Sequence, residues 1–286
     1  MMTVKIGISG WRYEPWRGVF YPKDLIQKKE LWFASRQVTS IEINGTFYAT
    51  QSPNSYKSWY EEAPKDFIFS LKGPRYITHI RRLREVREPL ANFFASGVLH
   101  LQEKLGPFLW QLPPSFRFEE NLIEEFFRSL PFNTQEAARL AQESEWTSDF
   151  PESAEKSRRP LRHAMEVRHH SFENPDFISL LRKYNVALVF ADTAGKWPYM
   201  EDITSDFLYL RLHGDEELYA SGYDDSTLRW WSDRVRAWSL GRSPSDALVI
   251  SEEPSVERPR DVFVYFDNDF KVRAPQDAQT LIKMLS

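Results

Sequence analysis

Short apolar or β-branched runs alternate along the chain with amphipathic stretches of helical period, the pattern of βα units building a parallel sheet. Eight runs read as strands: VKIGIS (4–9), VTSIEI (38–43), FIFSLK (67–72), PFLWQL (107–112), RHAMEV (162–167), ALVFAD (187–192), FLYLRL (207–212) and VFVYFD (262–267). Between them the spacing predicts helices over 24–36, from the Ser52-Pro53 start to Glu62, from Val86 to Leu105, and over 119–129, 174–184 and 225–239, with a closing helix after Ala274-Pro275. Pro113 and Pro114 end the fourth strand because neither can donate to the ladder. Trp230, Trp231, Val235 and Trp238 read as core packed on the barrel wall. Residues 133–160 lack a clear strand and read as an insertion, 193–205 is too short for a full helix, and 243–260 reads as a second surface excursion. The expectation is an α/β protein, a single (β/α)8 TIM-like barrel with insertions over residues 1–286.

Composition narrows this reading. With 42% hydrophobic residues, 286 residues can bury a barrel-sized core as one domain. A formal charge of -4 supplies no global drive toward nucleic acid or anionic lipid. The absence of cysteine excludes disulfides, thiolate catalysis and thiolate metal sites, leaving His and carboxylates as strong metal ligands. No run of about 18 apolar residues occurs, and the N-terminus carries no leader pattern, so a cytoplasmic protein without membrane contact is expected.

In such barrels the active site is assembled at the carboxyl ends of the strands. Polar residues stand there in every strand: Ser9 and Trp11, Glu42 and Asn44, Lys72, Gln111, Glu166 and Arg168, Asp192, Arg211 and His213, Asp267 and Asn268. Charges inside apolar runs such as AMEVRH and YLRLHG are costly to bury unpaired, so they are expected to face one another. Both a catalytic pocket and a structural ion network have this composition. Glu42, Glu166, Asp192 and Asp267 are candidate acids or bases, and His213 is the candidate for proton transfer near neutral pH. Ser9, Trp11, Asn44, Lys72, Gln111, Arg168, Arg211 and Asn268 are candidate substrate contacts, the arginines as bidentate clamps. The basic loop 72–84 adds Arg75, His79, Arg81, Arg82 and Arg84, either a solvated face or a phosphate-binding stretch. The aromatic loop 10–22 holds Trp11, Tyr13, Trp16, Phe20 and Tyr21, either a packed lid or a stacking rim.

IGISGWRYEPWRGVFYP, EINGTFY, FSLKGPRYITHIRRL, LWQLPPSF, HAMEVRHHSF, ADTAGKWP, YLRLHG and YFDND occur in that order over nearly the whole chain, and together they resemble the YecE-like family, DUF72. The resemblance implies a TIM-like barrel and singles out Glu42, Asn44, Lys72, Gln111, Glu166, Arg168, Asp192, Arg211, His213 and Asp267, while implying no reaction. Residues 133–160 and 243–260 match it least.

Three readings follow from these residues. The first is an enzyme performing acid–base chemistry, as a hydrolase, isomerase or lyase, on a small polar or anionic substrate. The second is a divalent-metal phosphodiesterase on nucleic acid, with the carboxylates and His213 as ligands and the cofactor otherwise open. The third is a non-catalytic ligand-binding protein.

Overall fold

The computed structural model describes residues 3–146, 149–214, 221–251, 253, 256–268 and 270–286. Eight parallel strands close into a barrel in sequence order: β1 Val4–Ser9, β2 Ser40–Ile43, β3 Ile68–Lys72, β4 Leu105–Gln111, β5 His163–Glu166, β6 Ala187–Asp192, β7 Phe207–Leu212 and β8 Asp261–Phe266. The first strand pairs with the eighth through Val4 to Ile8 against Val262 to Phe266, so no sheet edge is left. Each run expected as a strand becomes one, within about two residues at either end.

The interleaved helices are α1 Glu30–Ala34, α2 Gly45–Tyr48, α3 Pro53–Glu62, α4 Arg87–Ala95, α5 Glu120–Ser129, α6 Thr134–Gln142, α7 Glu152–Lys156, α8 Pro175–Tyr184, α9 Asp225–Ser239 and α10 Arg273–Leu285. Helix α3 starts where Ser52 caps the Ser55 amide with Pro53 behind it, and α8 repeats the device with Asn174 and Pro175. The stretch 24–36 is helical only from Gln27, as a 3-10 turn followed by α1. The expected helix 86–105 stops at Ala95, because Gly97 takes a φ of 106° and a tighter 3-10 segment follows. In the region 133–160, α6 and α7 both form; residues 147 and 148 within it, and 252, 254 and 255 within 243–260, lie outside the described residues.

Two packed layers result. The outward residues of the strands, among them Ile8, Ile41, Leu71, Trp110, Met165, Phe190, Leu210 and Val264, join the helices in one large apolar cluster. Inside the barrel, Leu109, Ala164, Val189, Ala191, Phe207, Tyr209, Phe263 and Tyr265 fill the lumen. Helix α9 packs Trp231, Val235 and Trp238 inward as expected, whereas Trp230 is partly exposed. No helix among the described residues is long and apolar enough to cross a membrane.

Candidate functional site

Strand parity decides which polar residues meet. Successive side chains point to opposite faces, so residues two apart share one. Ala164 and Tyr209 face the lumen, and therefore so do Glu166 and Arg211; Leu109 carries Gln111 and Tyr265 carries Asp267 by the same rule. Ser9 lies in register with Glu42, and Gln111 with Glu166, which sets these side chains in adjoining rows at the carboxyl end.

Arg211 stands at the centre, wholly buried. Its Nε donates to Glu42 Oε2 at 3.1 Å and its Nη2 to Glu42 Oε1 at 2.9 Å. Nη1 donates to Glu166 Oε2 at 2.7 Å, and Nη2 also reaches Asp267 Oδ2 at 2.7 Å. One guanidinium thus ties carboxylates from β2, β5 and the end of β8, a geometry that its planar fork permits and an ammonium does not. The remaining acceptors are also engaged. Ser9 donates to Glu42 and Tyr209 to Glu42 Oε2, while Gln111 and Arg168 donate to Glu166 Oε1 at 2.9 and 2.7 Å. Below this layer, Tyr209 meets the Ser70 hydroxyl and Tyr265 the Ser40 hydroxyl, each at 2.7 Å.

His213 Nδ1 lies 3.1 Å from Asp267 Oδ2, and its Nε2 lies 3.4 Å from Arg211 Nη1. The network assigns a neutral ring with its proton on Nδ1 facing Asp267. Burial and the Arg211 charge both lower the His213 pKa, against the pull of Asp267. Burial alone would raise the carboxyls of Glu166 and Asp267, but Arg168 and Arg211 around the first, and Arg211 and His213 around the second, hold both below the ordinary range.

Above the tied acids opens a cleft of about 650 Å3 lined by Lys72, Arg75, His79, Gln111, Arg168 and Asp267, with Tyr13, Asn44, Phe47 and Tyr48 as walls. Three cationic side chains face it against one carboxylate. Lys72 is only 7% exposed, and its Nζ lies 4.3 Å from the Phe47 ring centre, with no carboxylate within 4.0 Å among the described residues. Burial, followed by the Arg211 charge, brings its pKa down to about 8. Arg168 lies over the Trp197 ring, its Cζ 3.9 Å from the ring centre. Burial and the neighbouring Lys72, Arg168 and Arg75 lower His79 to about 4, so it is neutral at pH 7.

Three expected site residues do not join this group. Asp192 has the opposite parity to the lumen residues Val189 and Ala191, so it points outward and accepts from the Tyr223 hydroxyl at 2.9 Å. Asn268, one residue past the inward Asp267, turns to Asp277 Oδ2 at 2.7 Å. Trp11 shares the parity of Ser9, but Gly10 between them adopts a φ of 90° and redirects the chain, putting Trp11 against Trp59 in a separate hollow.

Sequence reasoning did not single out Tyr209, Tyr265 or Trp197, whereas Phe47 and Tyr48, in the TFY that follows the second strand, belong to the aromatic rim it offered for stacking. The inward parity of the first two, read from YLRL and VYFD, was the available signal. The basic loop divides: Arg75 and His79 face the cleft, whereas Arg81 pairs with Glu85 and Arg84 with Glu119 at the surface. Of the aromatic loop, Trp16, Phe20 and Tyr21 pack together as a lid against Phe33, and Tyr13 alone of that group lines the cleft. Among the described residues no three His, Asp or Glu side chains are grouped to hold a metal ion, since the carboxylates converge on the Arg211 guanidinium.

Fold and site together define an eight-stranded parallel barrel with a charged cleft at its carboxyl end. The chain belongs to the family described as "Protein of unknown function DUF72", whose model matches residues 5–286. It is 28% identical over 129 residues to UPF0759 protein YecE of Escherichia coli K12, covering 45% of this chain and 44% of that protein. To UPF0759 protein YunF of Bacillus subtilis it is 29% identical over 119 residues, covering 40% and 41%. The matched region thus spans less than half the length of these curated relatives. Among solved structures, a DUF72 family protein of Thermotoga maritima (TM1631) superposes with a TM-score of 0.74 at 24% identity over 99% of both chains. One from Enterococcus faecalis (EF0366) gives 0.69 at 17% identity, covering 99% of this chain and 95% of that one. At these identities the structural likeness supports the fold alone.

Proposed function

We propose that the cleft binds a small anionic substrate and that Lys72 moves a proton to or from it, making the protein an acid–base enzyme. The observation that carries this reading is the imbalance of charge lining the cleft. Glu42 and Glu166 are tied under Arg211, while Lys72, Arg75 and Arg168, the last also bonded to Glu166, face the cavity against the one carboxylate of Asp267. Arg168 supplies a fork for a carboxylate or phosphate, and Gln111 and Asn44 supply neutral polar contacts beside it.

Of the groups facing the cleft, Lys72 is the one whose pKa of about 8 leaves both protonation states accessible near neutral pH. Asp267 stays ionised and His79 stays neutral there, so neither exchanges protons readily. The same charge arrangement disfavours the metal phosphodiesterase reading, because a guanidinium takes the central position among the three carboxylates.

The test begins with small carboxylates and phosphate esters screened at pH 7 for thermal stabilisation of the protein. Compounds that bind are then incubated with the protein in deuterated solvent. The reading expects deuterium to enter a carbon position of a bound compound, and Lys72→Arg to keep the binding while losing the exchange. Binding with exchange or turnover unaffected by Lys72→Arg would remove Lys72 from the chemistry; no anion binding at all would remove the reading.

A further inference from the structure

The cationic cleft is not isolated. A second hollow, of about 240 Å3, opens beside it, with Trp11 and Trp59 in its lining. Tyr13, Asn44 and Tyr48 line both cavities, so the two share one wall. Their balance of chemistry differs. The first presents Lys72, Arg75 and Arg168, whereas the second has four aromatic side chains, Trp11, Tyr13, Tyr48 and Trp59, with Ile43, and Arg12, Asn44 and Gln51 as its polar lining; Trp11 and Trp59 meet edge to face at 5.3 Å.

Tyr48 divides them. It is 72% exposed, its ring touches Phe47 edge-on at 5.0 Å, and among the described residues its hydroxyl makes no hydrogen bond. A large aromatic ring held at a cavity rim offers a stacking face. Size agrees as well, since a cavity of roughly 150 Å3 accepts a benzene ring and this hollow is about 240 Å3. Two local features keep it open. Gly45 lines it without a side chain, and Gly10, at a φ of 90°, turns the chain so that Tyr13 donates back to the Ser9 carbonyl at 2.5 Å and the indole of Trp11 falls away from the barrel axis.

We infer that the substrate is an anion carrying a planar aromatic or heteroaromatic group, with the anion on the Lys72 and Arg168 side and the ring in the hollow against Tyr48 and Trp11. This rests on the anion-binding reading of the cleft and adds the second half of the ligand. The ring replaces water along the aromatic wall, and the anion fixes its orientation.

Calorimetric titration of the full chain at pH 7 with inorganic phosphate and with phenyl phosphate tests the inference. Phenyl phosphate is expected to bind about tenfold tighter than inorganic phosphate, the scale of one stacked ring. Tyr48→Ala is expected to bring the ratio of the two affinities close to one, and Tyr48→Phe to preserve it. Equal affinities in the unaltered protein, or a ratio untouched by Tyr48→Ala, would overturn the aromatic half while leaving the anion site standing. If neither compound binds, the anion reading fails and this inference fails with it.

Discussion

Arg211 and Glu42 meet in a two-point contact, Nε to Oε2 at 3.1 Å and Nη2 to Oε1 at 2.9 Å, with both side chains wholly buried. The pair spans the barrel from β7 to β2, and the same guanidinium holds Glu166 and Asp267. Removing it would leave three carboxylates without their shared cation.

Arg211→Met is therefore expected to cost at least the 3–5 kcal/mol typical of breaking a buried pair. Arg211→Lys is expected to recover only part of this, because an ammonium cannot reproduce the fork. Urea unfolding at pH 7 measures both; an unchanged midpoint for Arg211→Met would show that the acids are held by something else.

Lys72 has the opposite sign. Its pKa falls from an ordinary 10.5 to about 8 in the fold, so between those values the unfolded chain binds more protons and stability rises with pH. Below about 8 the charged amine opposes folding by up to roughly 3 kcal/mol, the linkage equivalent of that shift. Lys72→Met is thus expected to unfold at a higher temperature than the unaltered protein at pH 7 and to lose the rise in stability above pH 8. A lower melting temperature at pH 7 for this variant would mean that Lys72 is stabilised by its surroundings.

Arg168 sits at the rim, stacked on Trp197 and bonded to Glu166. Arg168→Gln is expected to weaken phosphate binding about tenfold or more, the scale of one charge-assisted hydrogen bond. Its effect on stability should be small beside that of Arg211→Met, since Glu166 keeps Arg211 and Gln111. Calorimetry and thermal melting on the same samples separate the two effects.

Gly73 follows Lys72 where the chain crosses Trp110, and a methyl group there would lie 2.4 Å from the indole ring. Gly73→Ala is expected to cost about 1–3 kcal/mol by overpacking and to weaken phosphate binding by moving Lys72. A variant of unaltered stability would show that the indole yields freely.

The barrel itself was legible because all eight strands are buried on both faces and read as near-continuous apolar runs. Most of the site was legible for the same reason, since Glu42, Lys72, Glu166 and Arg211 are charges inside such runs. Asp192 and Asn268 were misplaced because proximity to a strand end is a weaker rule than parity within the strand. Trp11 was misplaced because a positive φ at Gly10 breaks the alternation, and a lone glycine in a sequence does not announce its φ. That Arg211 sits among the acids while Lys72 and Arg75 face the cleft depends on how far each side chain reaches across the barrel, which no one-dimensional pattern contains. Helix α6 was missed although it buries Ala137, Ala138, Leu140 and Ala141, because its apolar face is mostly alanine and stands out little from the charged residues around it. The helix before Gly97 was overextended because the buried Val98, Leu99 and Leu101 continue its apolar pattern past the left-handed turn.

The most direct test of the account is phosphate titration of the unaltered protein and of the Lys72→Met, Arg168→Gln double variant across pH 6 to 10. Saturable binding is expected that weakens as pH rises through about 8, where the Lys72 ammonium loses its proton, and that is lost in the double variant at every pH. Binding of equal strength in both proteins, or no binding to either, would contradict the assignment of this cleft as an anion site.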